Sequence, residues 1–127
     1  MFDFWADVDN NVLMRVIKKN KLDDFFKLHQ QGKKPLLKWY EIVRKAHWMS
    51  FVEMRKTFPS ADELTVKSGK KAVVFNIKDD YRLITAVHYE KTVKDRNNIN
   101  KMVEGKIYLF FFLTHNEYDK NLWKAQL

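Results

Sequence analysis

Cysteine is absent from this 127-residue chain, which excludes disulfides, thiolate zinc sites and a cysteine nucleophile. Glycine and proline are scarce, at three and two residues, and they do not gather with serine into a linker. No internal repeat is visible, and the length suits one domain, residues 1–127, with a single core. No apolar run approaches a membrane span, so no membrane partner is expected. The first residues carry aspartates where an export signal carries lysines, and the cytoplasm is the expected compartment. The four histidines, at 29, 47, 88 and 115, lack the H-x-x-x-H kind of spacing, so neither a metal site nor a cofactor is expected.

What the chain does have is positive charge and aromatic rings. Aromatic residues make up 15% of it, and the net charge is +8. Residues 1–13 hold Asp3, Asp7 and Asp9 and no basic residue; setting that −3 aside from the net +8 leaves +11 on residues 14–127. A compact body of that charge attracts polyanions, although a lysine-rich surface also serves solubility alone.

Val12 to Ile17 is rich in β-branched residues and predicts a strand. A helix follows, with Asn20 as its cap, Asp23 in a weak capping box, and Leu22, Phe25, Phe26 and His29 on one face. Gly32 is expected to end it, and Pro35 suits the first turn of a second helix, where Leu36, Trp39, Tyr40, Val43 and His47 form an apolar stripe. Ser50 is placed to cap a short third helix through Arg55. After a loop from 60 to 69 the period changes to two. Val73, Phe75 and Ile77 alternate with Val74, Asn76 and Lys78, Asp79-Asp80 makes a turn, and 81–89 returns. Residues 90–105 are polar and Asn-rich and read as a long loop or an added helical turn. Ile107 to Leu113 is a strand apolar on both faces. The expected class is α+β: an N-terminal strand, two or three helices, then an antiparallel three-strand meander with helices on one sheet face.

Directly after the last strand come Thr114-His115-Asn116-Glu117-Tyr118-Asp119-Lys120, which bring an imidazole, two carboxylates and a phenol together at a rigid tip. The same residues also suit an ordinary polar turn. The hairpin would bring Lys78 and Arg82 to one sheet end, where two cations can hold a phosphodiester and stabilise a charged transition state. A histidine with nearby acid and phenol can move protons at neutral pH. Together these groups suit metal-independent RNA cleavage by attack of the ribose 2′-hydroxyl on phosphorus. Tyr118 or Trp123, if exposed, would stack on an unpaired base. A solvated hairpin end is the plainer reading of Lys78 and Arg82.

Met14-Arg15-Val16-Ile17, Pro35-Leu36-Leu37-Lys38-Trp39-Tyr40, Phe58-Pro59-Ser60-Ala61-Asp62, Val74-Phe75-Asn76-Ile77-Lys78, Tyr81-Arg82-Leu83-Ile84 and Thr114 to Lys120 resemble, in order and spacing, the HigB-type toxins of bacterial toxin–antitoxin pairs, as does the ending Trp123-Lys124. The resemblance implies the small RelE-like α+β fold and a ribosome-dependent endoribonuclease that cuts messenger RNA in translation. It implies a cognate HigA-like antitoxin with a helix-turn-helix domain, usually in a heterotetramer. By similarity the catalytic positions are Arg82, His115, Lys78, Glu117 and Tyr118, and Asn76, Lys71, Lys120 and Trp123 are candidates for RNA binding. From their chemistry, Arg82 and Lys78 are assigned to the phosphate and His115 to proton transfer. Tyr118 is assigned to stacking or proton transfer, and Glu117 to orienting His115 or acting as base.

Three departures from the family pattern stand out. Members commonly carry a basic residue, often Arg, four positions before the motif's Thr, where this chain has Phe110; Lys70, Lys71 or Lys106 would have to compensate. Residues 90–105 form an inserted loop in place of a short connection, and residues 1–13 form an N-terminal extension. The alternative function is therefore a catalytically weakened or silent relative that binds RNA, the ribosome or an antitoxin.

Overall fold

The computed structural model describes residues 14–127; the N-terminal extension, and with it the first two residues of the expected strand, lie outside the described residues. The chain forms β1 (Met14–Ile17), α1 (Lys21–Leu28), a 3-10 turn (Gln30–Gly32), α2 (Lys33–Val43), α3 (Phe51–Thr57), β2 (Asp62–Thr65), β3 (Lys71–Ile77), β4 (Tyr81–His88), β5 (Lys91–Lys94), β6 (Asn100–Val103), β7 (Gly105–Thr114), α4 (His115–Asp119) and a final 3-10 turn (Leu122–Gln126). The class is α+β, as expected.

The sheet is larger than the expected meander. Its order is β1-β7-β4-β3-β2, with β1 parallel to β7 and the other pairs antiparallel. The extra strand, β2, falls in the stretch expected to be a loop. Residues 90–105 are neither loop nor helical turn: β5 and β6 make a two-stranded sheet of their own.

The helices cover one sheet face. Alternation along β3 turns Val73, Phe75 and Ile77 into a core that also holds Met14, Leu22, Leu36, Trp39, Val43, Met54, Leu83, Leu109 and Phe112. Gly32 allows this closure, because a Cβ there would lie 2.7 Å from Phe112 Cζ. Burial of these side chains, at roughly 1.5–3 kcal/mol each, is the main force holding the helices down.

Local signals were obeyed unevenly. Ser50 caps α3, accepting from the Glu53 amide at 3.2 Å. Asn20 makes no side-chain cap, and α1 ends at Leu28, before the 3-10 turn that carries Gly32. His47 lies beyond the end of α2 and pairs instead with Glu90.

A bulge sits in the middle of the sheet. Ile84 pairs with Phe111 and Thr85 with Leu109, which leaves Phe110 as the extra residue. The shift lets both Leu109 and Phe112 face the helices, while Phe111 and Leu113 turn to the opposite face. There the C-terminal segment returns, and Trp123 packs with Val66, Ala72, Val74 and Ile84 in a smaller second core.

Candidate active site

The β3–β4 turn, Lys78-Asp79-Asp80, collects the polar groups at one end of the sheet. Lys78 takes a left-handed conformation, φ 55°, and the strands on either side pair Asn76 with Arg82. The next strand adds Leu113 opposite Arg82 and Thr114 opposite Tyr81. The His115 amide then donates to the Asp80 carbonyl at 2.8 Å, fastening the start of α4 to that turn.

Arg82 is held by the same turn. Its Nη1 donates to the carbonyls of Asp79 (3.0 Å) and Tyr81 (2.9 Å). Among the described residues no acceptor bonds its Nε or Nη2, so two donor positions remain for an anion. Arg82 lies close enough to Tyr118 to act on its phenol. Burial, chiefly, raises the Tyr118 pKa above its ordinary value; Asp62 and Asp119 add to the rise and the Arg82 cation opposes it.

Thr114 starts α4 with a capping box: its hydroxyl accepts from the Glu117 amide at 3.2 Å, and the Glu117 carboxylate accepts from the Thr114 amide at 2.9 Å. Glu117 Oε1 also approaches His29 Nε2 at 3.2 Å. That approach is not aligned as a hydrogen bond. The Thr114 amide bond, with a smaller contribution from His29, holds the Glu117 carboxyl below the usual carboxylate range. The expectation that Glu117 orients His115 is therefore corrected. The carboxylate beside His115 is that of Asp119, 3.4 Å from Nε2, and both side chains are more than half exposed.

This end of the sheet thus carries Arg82 and Asp119 near Tyr118, His115 beside Asp119, and Asn76 opposite Arg82 on the neighbouring strand. Lys78 stands at the same turn but lines a depression of about 220 Å³ with Lys38, Trp39, Ile42, Phe58 and Asn76. Lys38 had no signal in the sequence beyond lying on the polar side of α2. Asp119 was visible only as one of two acids in the motif, and spacing does not say which carboxylate turns toward the imidazole. His29, expected on one face of the first helix with Phe25 and Phe26, is the C-cap of α1 and packs there: its ring lies 5.3 Å from Tyr81 and 5.8 Å from Phe112.

Two candidates, Trp123 and Lys71, do not serve as expected. Trp123 is 3% exposed in the second core, with Nε1 donating to the Tyr118 carbonyl at 3.2 Å, so it cannot stack on a base. What it does is stack beneath Tyr118, with centroids 5.5 Å apart and planes at 17°. Lys71 pairs with Glu63 at the opposite end of β3, about 20 Å from the turn. Lys70 precedes it there, and Lys106 pairs in register with His88 at the far end of β4, so none of the three replaces a cation at position 110. Lys120 caps the end of α4 and is exposed.

Among the described residues no group of three or more His, Asp or Glu side chains is placed to hold a metal ion, and no helix is long and apolar enough to cross a membrane. The HigB_toxin family, described as a RelE-like toxic component of a toxin-antitoxin system, matches residues 32–121, which takes in β2, the turn, the bulge and α4. No curated protein gives a significant match.

Proposed function

The chain belongs to the HigB_toxin family of RelE-like toxins, the toxic components of toxin–antitoxin systems, and from that premise we propose that it is an endoribonuclease that cuts messenger RNA on the translating ribosome, in the cytoplasm. Membership brings an antitoxin partner; in this reading the antitoxin is HigA-like, carries a helix-turn-helix domain and forms a heterotetramer with the toxin. The observation that carries the proposal is the Arg82 guanidinium, fixed through Nη1, open at Nε and Nη2 and close to Tyr118, on the turn to which the His115 amide is fastened.

In this mechanism Arg82 binds the scissile phosphate, and Lys78 adds a second positive charge from the turn. The His115 imidazole takes the ribose 2′-hydroxyl proton, and the 2′-oxygen forms a bond to phosphorus. The bond from phosphorus to the 5′-oxygen breaks, and that oxygen leaves with a proton from solvent. The products are a 2′,3′-cyclic phosphate and a 5′-hydroxyl. Positive charge fixed before the reaction is the largest contribution a protein can make to such a step. Tyr118, with its pKa raised, is a weak acid at neutral pH; its ring, backed by Trp123, is the part that serves, as a platform for a base. Glu117 is a weak base already bonded to Thr114, and its part is to position α4.

The test is primer extension on a defined message in a reconstituted translation reaction, with wild type beside Arg82→Ala and His115→Ala. Cuts that need ribosomes and disappear in both variants are expected. Ribosome-dependent cuts that persist in Arg82→Ala would remove this site assignment. A second reading, a silent relative that binds RNA, ribosome or antitoxin, is favoured by Phe110 and predicts binding without cuts.

A further inference from the structure

The inserted residues form an arm. Its base is fastened on both sides: the Glu90 amide donates to the Trp48 carbonyl at 3.0 Å, buried Glu90 meets His47 at 2.5 Å, and Glu104 lies 3.7 Å from Arg15. Its tip is fixed as well. Asp95 Oδ1 accepts from the amides of Asn97 (2.9 Å) and Ile99 (3.0 Å), and Asn98 takes φ 61°, which asparagine tolerates. Between base and tip, β5 and β6 pair only with each other.

The charge on this arm is one-sided. Between its two base acids, Glu90 and Glu104, which are paired with His47 and Arg15, Lys91, Lys94, Arg96 and Lys101 are all exposed against one acid, Asp95, whose carboxylate is taken up by the tip amides. None of the four cations is in an ion pair among the described residues. The register puts Lys91 and Lys101 on one face and Lys94 on the other, so the positive charge surrounds the ribbon. Asn97, Asn98 and Asn100 add amide donors and acceptors.

We propose that this hairpin is an RNA-docking arm that grips the phosphate backbone of a double-helical RNA. It leaves the sheet from the end of β4 and the start of β7, about 25 Å from the turn that holds Arg82, so its phosphate contacts are separate from the one assigned to Arg82. Exposed apolar area on the arm is confined to Ile99 and Met102. A protein-binding surface has an apolar centre poor in lysine, whereas nucleic-acid surfaces are polar and basic. The fixed tip and base mean little order is lost on docking. The proposal goes beyond cleavage and does not require that the chain cut RNA.

The test compares the full chain with its K94Q/R96Q/K101Q variant for binding to an RNA duplex of about 16 base pairs, across about 50–200 mM salt. Removing three phosphate contacts should weaken binding and flatten the salt dependence, so that wild type loses roughly 20–40-fold more affinity than the variant over that range. Equal affinity and equal salt slope for wild type and the triple variant would overturn the proposal. So would a triple variant that keeps duplex binding but no longer binds the antitoxin, which would make the arm a protein contact. The three side chains are exposed, and an unchanged melting temperature certifies the variant's fold. Loss of duplex binding in the triple variant alone, with or without ribosome-dependent cuts by wild type, separates this proposal from the cleavage reading.

Discussion

Glu117 Oε1 lies 3.2 Å from Nε2 of His29, which ties the helix after the last strand to the end of the first helix. The same carboxylate closes the capping box with Thr114. One side chain thus sets both where α4 begins and where its far side rests, and α4 carries His115 and Tyr118. The stability of the candidate site is linked to this carboxylate.

That linkage has a sign. The Glu117 carboxyl titrates below its ordinary value of 4.5 in the folded chain, first because of the Thr114 amide bond. Its contribution is therefore fully present above about 4.5 and is lost as the pH falls through the lower, folded-state value. Glu117→Gln keeps an acceptor for Thr114 but has no proton to gain. Melting curves of both proteins should differ above pH 4.5 and converge in more acidic solution; a constant difference would remove the linkage. Half of the side chain is exposed, so the effect is modest.

Arg82→Ala should lower the cleavage rate by about 100–1000-fold, the range for removing one fixed donor from a charged transition state. Its side chain packs into neither core cluster, so the melting temperature should change little. Arg82→Lys should recover only part of the rate. A lysine has no fork to hold the Asp79 and Tyr81 carbonyls while offering two further donors to phosphate. Single-turnover cleavage on stalled ribosomes measures both, and full activity in the lysine variant would show that charge alone suffices.

Tyr118 separates two uses of one residue. If the ring is the platform, Tyr118→Phe keeps RNA affinity within about threefold, while Tyr118→Ala loses about 1–3 kcal/mol, the worth of one base stacked on an aromatic side chain. A Phe variant as impaired as Ala would mean that the hydroxyl, not the ring, is used. Fluorescence titration with a short unpaired RNA reads the difference.

These assignments show where sequence was informative. The β3–β4 hairpin was legible because Val73, Phe75 and Ile77 recur at a period of two, with Asn76 and Lys78 between and after them, and Asp79-Asp80 is turn chemistry. The burial of Val73, Phe75 and Ile77 follows from that period. β2 was not legible, since Asp62 and Glu63 have low strand preference and the segment becomes a strand only by pairing with β3 at the sheet edge. The arm was missed because cations and amides interrupt its alternation, and its pairing is set by the Asp95 tip. The bulge depends on register between β4 and β7, which no local pattern encodes. At the site, spacing brought Arg82 and His115 to one end of the sheet, but which carboxylate turns to His115 depends on His29, 88 residues before Glu117 in sequence.

Trp123 follows the same logic. Near the chain end, among polar residues, it read as an exposed ring, but Val74 and Ile84 across the sheet bury it. Trp123→Ala should cost about 3–5 kcal/mol of stability and should weaken RNA binding only as far as it loosens Tyr118. Lys120→Ala, on an exposed side chain, should stay within about 0.5 kcal/mol. Chemical denaturation of both variants is the check, and a Trp123→Ala protein of normal stability would place its ring outside the core.

Phe110 offers a test of whether the candidate site lacks a cation. It is the unpaired residue of the bulge, one position past Leu109, and on its site side follow Phe111, the partner of Ile84, and Leu113, the partner of Arg82. A bulged position tolerates a change of side chain better than a core position does, because it belongs to neither buried cluster. Phe110→Arg would add a third cation, on the strand that leads to His115. If cleavage is limited by missing positive charge, the variant should cut at least 10-fold faster, about 1.4 kcal/mol of transition-state stabilisation. The readout is the single-turnover rate beside wild type at matched folded fraction. An unchanged rate in a folded, ribosome-bound Phe110→Arg protein would mean that Arg82 and Lys78 already supply the charge the reaction uses.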